Sequence, residues 1–135
     1  MAPFLSGGGY CSEAISFMVS LRKGMTVAID QHGDSYSPSF VQGLGQDTKA
    51  ILSTLFNTRL DLQNTIAVCH SEPGAWAVPK PLYQTSICPP PAAAYSVGRT
   101  MFETDRITAG HVERCNMMDE AGISLIPPFG AAGFG

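Results

Sequence analysis

Apolar positions recur at helical spacing from Ser12 to Lys23, where Ala14, Met18 and Leu21, joined by Ile15 and Val19, line one face. Ser12 stands at a capping position, Glu13 puts a negative charge in the first turn, and Arg22, Lys23 and Gly24 suit the far end. The pattern then changes. Met25 to Asp30 is a short β-branched run that predicts a buried strand, followed by the polar turn Gln31-His32-Gly33-Asp34. A second helix is predicted from Ser39 to Asn57, weakened by Gly43 and Gly45. Thr65 to His70 reads as a buried strand, Val97 to Glu103 as another, and Ala109 to Met118 as a third helix. Between Ser71 and Pro91 lies a proline-rich loop, and loops beyond ~15 residues are usually functional or disordered. Strands alternating with helices predict an α/β chain, with a parallel sheet covered by helices on both faces.

The ends fit this pattern poorly. Met1 to Leu5 is barely a strand and contains Pro3, while Ala121 to Gly135 has no charged residue and matches neither period. The expected division is therefore a folded unit over 1–120 and an unstructured apolar tail over 121–135.

Composition narrows the function classes. The chain has 135 residues, 44% hydrophobic and 14% charged, with 14 glycines and 10 prolines. A chain of this size buries roughly 68% of its unfolded surface, enough for a core without metal or disulfides. The formal charge is −3 and the longest basic run is Arg22-Lys23, so there is no stripe for nucleic-acid phosphates. No apolar run approaches the ~20 residues of a membrane span. The start does not read as a signal peptide, because it lacks an early Lys or Arg and Glu13 interrupts its apolar stretch. Cys11, Cys69, Cys88 and Cys115 are widely spaced with no C-x-x-C pair, which favours free thiols in a reducing compartment. A cytoplasmic setting is the default for this stretch, and the compartment of any longer parent stays open.

Three segments carry candidate chemistry. Gly7-Gly8-Gly9-Tyr10 precedes the first helix, where loop amides and a helix N-terminus can cradle an anion, although a tight structural turn fits the spacing equally well. It is neither a dinucleotide fingerprint nor a P-loop. His70 ends a buried strand at the carboxyl edge of the sheet, where ligands bind, or else simply hydrogen-bonds the loop. Glu72 can orient His70 or a substrate hydroxyl, and Trp76 suits either loop packing or a platform for a sugar ring. Arg99, Met101 and Glu103 share one side of the third strand, with Asp105 just beyond. Such a charge cluster is more often an ion-pair network than a catalytic one. His111 and Cys115 sit one helical turn apart, but no further ligands accompany them, so no metal site is expected.

Together these segments resemble a known family. The stretches Ser6 to Ala14, Val68 to Trp76, Gly98 to Arg106 and His111 to Glu120 resemble, in order and spacing, the N-terminal half of GT-B glycosyltransferases. The match is to the large retaining family numbered 4, in a plant- or alga-like branch, and it covers about residues 3 to 120. The resemblance implies a Rossmann-like domain that binds the acceptor, facing a second domain that holds most of a nucleoside-diphosphate-sugar donor. It implies transfer of a sugar to an acceptor hydroxyl with retention, with no cofactor and no metal. Gly7, Gly8, Gly9 and Tyr10 would then approach the donor pyrophosphate. His70 would lie near the transferred sugar and Glu103, Thr104 and Asp105 would line the acceptor cleft, with His70, Glu103 and Asp105 as catalytic residues and Glu72, Trp76, Arg99 and Thr104 contacting substrate.

The chain departs from the family beyond Glu120, where a Val-Trp-Val-Pro-like strand is expected, and the donor-side glutamate pair has no counterpart. The expectation is a truncated GT-B N-terminal domain, inactive alone. The alternatives are a non-catalytic fragment that associates with itself or with a full-length relative, and a small free-standing phosphate-binding α/β protein.

Overall fold

A computed structural model describes residues 1–77, 86–102 and 106–125. Its helices are α1 (Gly9–Leu21), α2 (Pro38–Gly43), α3 (Gln46–Asn57) and α4 (Ala109–Cys115). Its strands β1 (Ile66–His70), β2 (Tyr95–Phe102) and β3 (Glu120–Leu125) form an open parallel sheet in the order β1-β2-β3. The chain is thus a mixed helix/strand protein, compatible with the expected α/β class. Among the described residues no helix is long and apolar enough to cross a membrane.

Helix α1 starts three residues before the expected Ser12. The glycine turn itself provides the start: Gly8 is the N-cap at φ +88°, a conformation that L side chains rarely adopt, and no side chain caps the helix. Ser12 instead donates its hydroxyl to the Gly8 carbonyl at 3.0 Å from inside the helix. Cys11, Ala14 and Met18 form its buried stripe. Gly24 bonds back to the Leu21 carbonyl without taking the expected left-handed φ. The helix expected over Ser39–Asn57 is two helices, because Leu44 and Gly45 are extended. Ser37 caps α2 by accepting from the Phe40 amide.

Met25–Asp30 is not a regular strand. It meets the short stub Met1–Pro3 in a single parallel bridge, between Ala2 and the following Gln31. The Ala2 amide donates to the Asp30 carbonyl and the His32 amide to the Ala2 carbonyl. On the stub's other side, the Met1 amine donates to the Val68 carbonyl at 2.8 Å and the His70 amide to the Met1 carbonyl at 2.9 Å. The stub therefore lies between Asp30–His32 and β1. Pro3 has no amide to continue such a ladder, and the Ile29 amide turns instead to the Leu55 carbonyl in α3.

Residues 121–125, expected to begin an unstructured tail, belong to β3, which pairs with β2 from Val97↔Glu120 to Phe102↔Leu125. Backbone pairing with a neighbouring strand needs no side-chain periodicity, so the weak local pattern does not decide the outcome. The remainder of the expected tail lies outside the described residues.

Two apolar clusters support the sheet. Ala2, Phe4, Ala14, Met18, Ile29, Leu52 and Leu55 join the stub to α1 and α3. Cys69, Trp76, Cys88 and Met118 form the second. Here the expectation of free thiols fails: Cys69 and Cys88 are disulfide-bonded, while Cys11 and Cys115 are free. Spacing along the chain says nothing about distance across a loop, and the loop after β1 returns Cys88 to a Cα–Cα distance of 5.7 Å from Cys69.

Candidate functional site

Strand β2 runs three residues past β1, because β1 ends where His70 pairs with Arg99. That leaves the Met101 amide and carbonyl without a strand partner on the β1 side. The Tyr10 hydroxyl takes the vacant place: it donates to the Met101 carbonyl at 3.0 Å, accepts from the Met101 amide at 3.2 Å, and lies 3.0 Å from Thr100 Oγ1. A buried backbone group without a partner costs free energy, so this tyrosine fixes the start of α1 against the end of β2. A Cβ on Gly9 would sit 4.0 Å from Met101 Cε. The triple-glycine turn and the ends of β1 and β2 therefore share one edge of the sheet.

One helical turn after Tyr10, Glu13 reaches the same region. Its Oε1 accepts from the Arg99 guanidinium at 2.7 Å, and its Oε2 lies 3.2 Å from His70 Nε2. The second approach lacks hydrogen-bond alignment, and neither atom has a hydrogen-bond partner among the described residues. The rings of Tyr10 and Phe17 meet the His70 imidazole edge-on at 5.6 and 5.9 Å, and Arg99 lies over Phe17. Burial pushes the His70 pKa below its ordinary value; Glu13 pulls it up, and Arg99 and the Met1 amine push it down. Near neutral pH the cluster is a Glu–Arg ion pair beside a neutral imidazole. His70 is 4 % exposed, so it sits under α1 rather than in an open cleft.

A second group stands where the loop after β1 meets α4. Glu72 Oε1 lies 3.0 Å from His111 Nε2, and the imidazole is stacked at a tilt on Phe102 with a 5.4 Å centroid separation. Thr108 caps α4 by accepting from the His111 amide. A Cβ on Gly74 would come within 2.8 Å of Glu72 Oε1, so a larger residue there would displace this carboxylate from His111. The carboxylate beside His70 is thus Glu13, and Glu72, expected to orient either His70 or a substrate hydroxyl, pairs with His111 instead of His70.

Trp76 takes the packing role of its two expected ones. It is 0 % exposed, its Nε1–H donates to Ser71 Oγ at 3.1 Å, and its carbonyl accepts from Arg114 at 2.9 Å. A Cβ on Gly98 would stand 2.6 Å from the indole, so only glycine fits beneath the ring. The buried ring offers no open face to a sugar. Glu103, Thr104 and Asp105 lie outside the described residues.

Two residues here carried no functional expectation. Glu13 was read as a helix-start charge, although its spacing from Tyr10 and Phe17 puts all three on one helix face. His32 reads in sequence as part of a turn; it is 1 % exposed, its Nδ1 lies 2.8 Å from the Ser86 carbonyl, and its Nε2 has no partner among the described residues. Since a carbonyl only accepts, Nδ1 carries the proton, and burial lowers the His32 pKa. No group of three His, Cys, Asp or Glu side chains among the described residues is placed to hold a metal. A separate open groove of about 410 Å³ lies between α4 and β3, lined by Ile107, Val112, Cys115, Met118 and Ile123 among others, and none of the site residues above lines it.

No protein-family model, curated protein or solved structure matches the chain.

Proposed function

We propose that this chain is the acceptor-side half of a GT-B glycosyltransferase of the retaining family numbered 4, acting on a nucleoside-diphosphate sugar and an acceptor hydroxyl. The observation that carries the reading is convergence. The Gly7–Tyr10 turn, His70 and Arg99, distant along the chain, meet at one edge through Glu13 and the Tyr10 hydroxyl. The open parallel sheet is compatible with a Rossmann-like domain. In this reading the uncapped start of α1 faces the charge that develops as pyrophosphate departs, where preorganised amides stabilise it. Glu13 acts through other residues, since it takes the charge of Arg99 and fixes the neighbourhood of His70. The resemblance assigns Glu103, Thr104 and Asp105, which lie outside the described residues, to the acceptor.

The test is a titration of the isotope-labelled chain, followed by amide resonances, with nucleotide sugars and with a panel of hydroxyl acceptors. The reading expects acceptor-dependent shifts at Gly7–Tyr10 and His70, weak nucleotide binding, and no transfer of labelled sugar by the chain alone. Tight nucleotide binding without acceptor binding would favour a free-standing phosphate-binding protein, and turnover by the isolated chain would defeat the half-enzyme reading.

A second reading, a non-catalytic fragment that pairs with a relative, is favoured by the sheet face beside α1. There Ile66, Val68 and Tyr95 are exposed together with Phe17 and Leu21. Co-purification with a tagged full-length relative tests it, and a monomer that ignores the relative counts against it.

A further inference from the structure

Cys69 and Cys88 are 19 residues apart in sequence and close a loop that begins at His70. Both are fully buried, as is Trp76 in the same cluster. Several bonds depend on that closure. The Ala77 amide donates to the Cys88 carbonyl at 2.7 Å, the indole donates to Ser71, and Ser86, just before Cys88, receives His32. The aliphatic cluster of Phe4, Met18, Leu52 and Leu55 shares none of these residues and contains no covalent link.

We propose that the Cys69–Cys88 bond is a redox lock on the segment Ser71–Ala77. The oxidised chain keeps Trp76 seated on Gly98 and Ser71–Ala77 in place. A dithiol reductant frees Ser71–Ala77 while the cluster of Phe4, Met18, Leu52 and Leu55 stays folded. In the step itself the dithiol gives up two electrons and two protons, the S–S bond breaks, two cysteine thiols form, and the reductant leaves as a disulfide. Closing a loop of this length removes chain entropy from the open state and favours closure on the order of a hundredfold. Because both sulfurs are buried, a reductant reaches them only when the loop opens, so the native chain is reduced more slowly than the unfolded one. The lock holds in an oxidising setting and releases in a reducing one, and it does not depend on the sugar-transfer reading.

Trp76 is the only tryptophan, so its fluorescence reports on this cluster, while amide exchange in α1 and α3 reports on the other. The full chain is compared before and after dithiothreitol, with thiols counted under denaturing conditions. Two thiols are expected before reduction and four after, in line with free Cys11 and Cys115. Reduction is expected to shift Trp76 emission to the red and to speed exchange across Ser71–Ala77 on the order of a hundredfold, leaving α1 and α3 unchanged. A double variant, Cys69→Ser with Cys88→Ser, is expected to show the same behaviour without reductant. Three results would each overturn the proposal: four free thiols in the air-oxidised chain, unchanged emission and exchange once all thiols are free, or loss of α1 and α3 protection together with the loop.

Discussion

The two apolar clusters of this chain are built from different materials. The first gathers aliphatic and aromatic side chains from the stub, α1 and α3, and is held by packing alone. The second is small and sulfur-rich: one indole seated on a glycine, one methionine, and a disulfide closing the loop above them. Removing apolar area from water stabilises the first at about 25 cal/mol per Å². The second has too little area for that to suffice, and relies on shape fit and covalent closure. The candidate site lies between them: α1 brings Tyr10 and Glu13 from the first, and the strands below Trp76 bring His70 and Arg99 from the second.

The difference can be broken most sharply at Trp76. Trp76→Ala is expected to cost about 3–5 kcal/mol, measured by urea unfolding. Helix signals from α1 and α3 should outlast exposure of the loop, and a single sharp transition for all probes would erase the distinction between clusters. Leu52→Ala in the first cluster should cost about 2–4 kcal/mol. It should unfold α3 and α1 together, because nothing covalent holds them.

Some of this was legible in the chain and some was not. The β1 and β2 segments and the buried positions Ala14 and Met18 follow from period, whereas Leu21 on the expected helix face and Ile66 and Val68 in the expected buried strand are exposed. The start of α1 was misread because Ser12 looks like a cap, whereas two glycines with positive φ end the preceding turn earlier. β3 was missed because Glu120–Leu125 carries a glycine and no clear alternation, and its stability comes from a partner strand. The disulfide was missed for the same kind of reason: a distance across space has no signature in spacing. At the site, the edge position of His70 is readable from its strand end, and Arg99 is readable only as sharing a strand side with Met101. The carboxylate serving both is not readable, since Glu13 lies far away in sequence and its first-turn position already had a local explanation.

Smaller effects sharpen the picture. Tyr10→Phe removes the hydroxyl that satisfies Met101 and should cost about 1–2 kcal/mol, visible as faster exchange at the Met101 amide with α3 unaffected. Thr108→Ala should cost about 1 kcal/mol through loss of the α4 cap, with a response confined to α4 and the Glu72–His111 contact.

Acidification comes last, as a graded titration rather than a deletion. Burial holds the pKa values of His32 and His70 below the ordinary 6.5. The unfolded chain therefore takes up protons first as pH falls. The stability they contribute is full above about pH 6.5 and is lost as pH drops from there toward the lower folded values. Thermal melts between pH 7.5 and 5 should show a falling midpoint. Glu13→Gln should steepen the fall, because that carboxylate is the group that raises the His70 pKa. A flat profile would mean that neither imidazole is held neutral by the fold.

The β1–β2 pairing sets Cys69 opposite Gly98 and His70 opposite Arg99, so adjacent rungs of one ladder serve opposite sides of the sheet. Deleting a single residue between Thr65 and Cys69 would shift that frame by one rung. It would turn the imidazole toward the tryptophan and the sulfur toward the helix, with every other residue unchanged. The segment Ile66–Val68 has little chemistry of its own, yet its length decides which side of the molecule receives which neighbour.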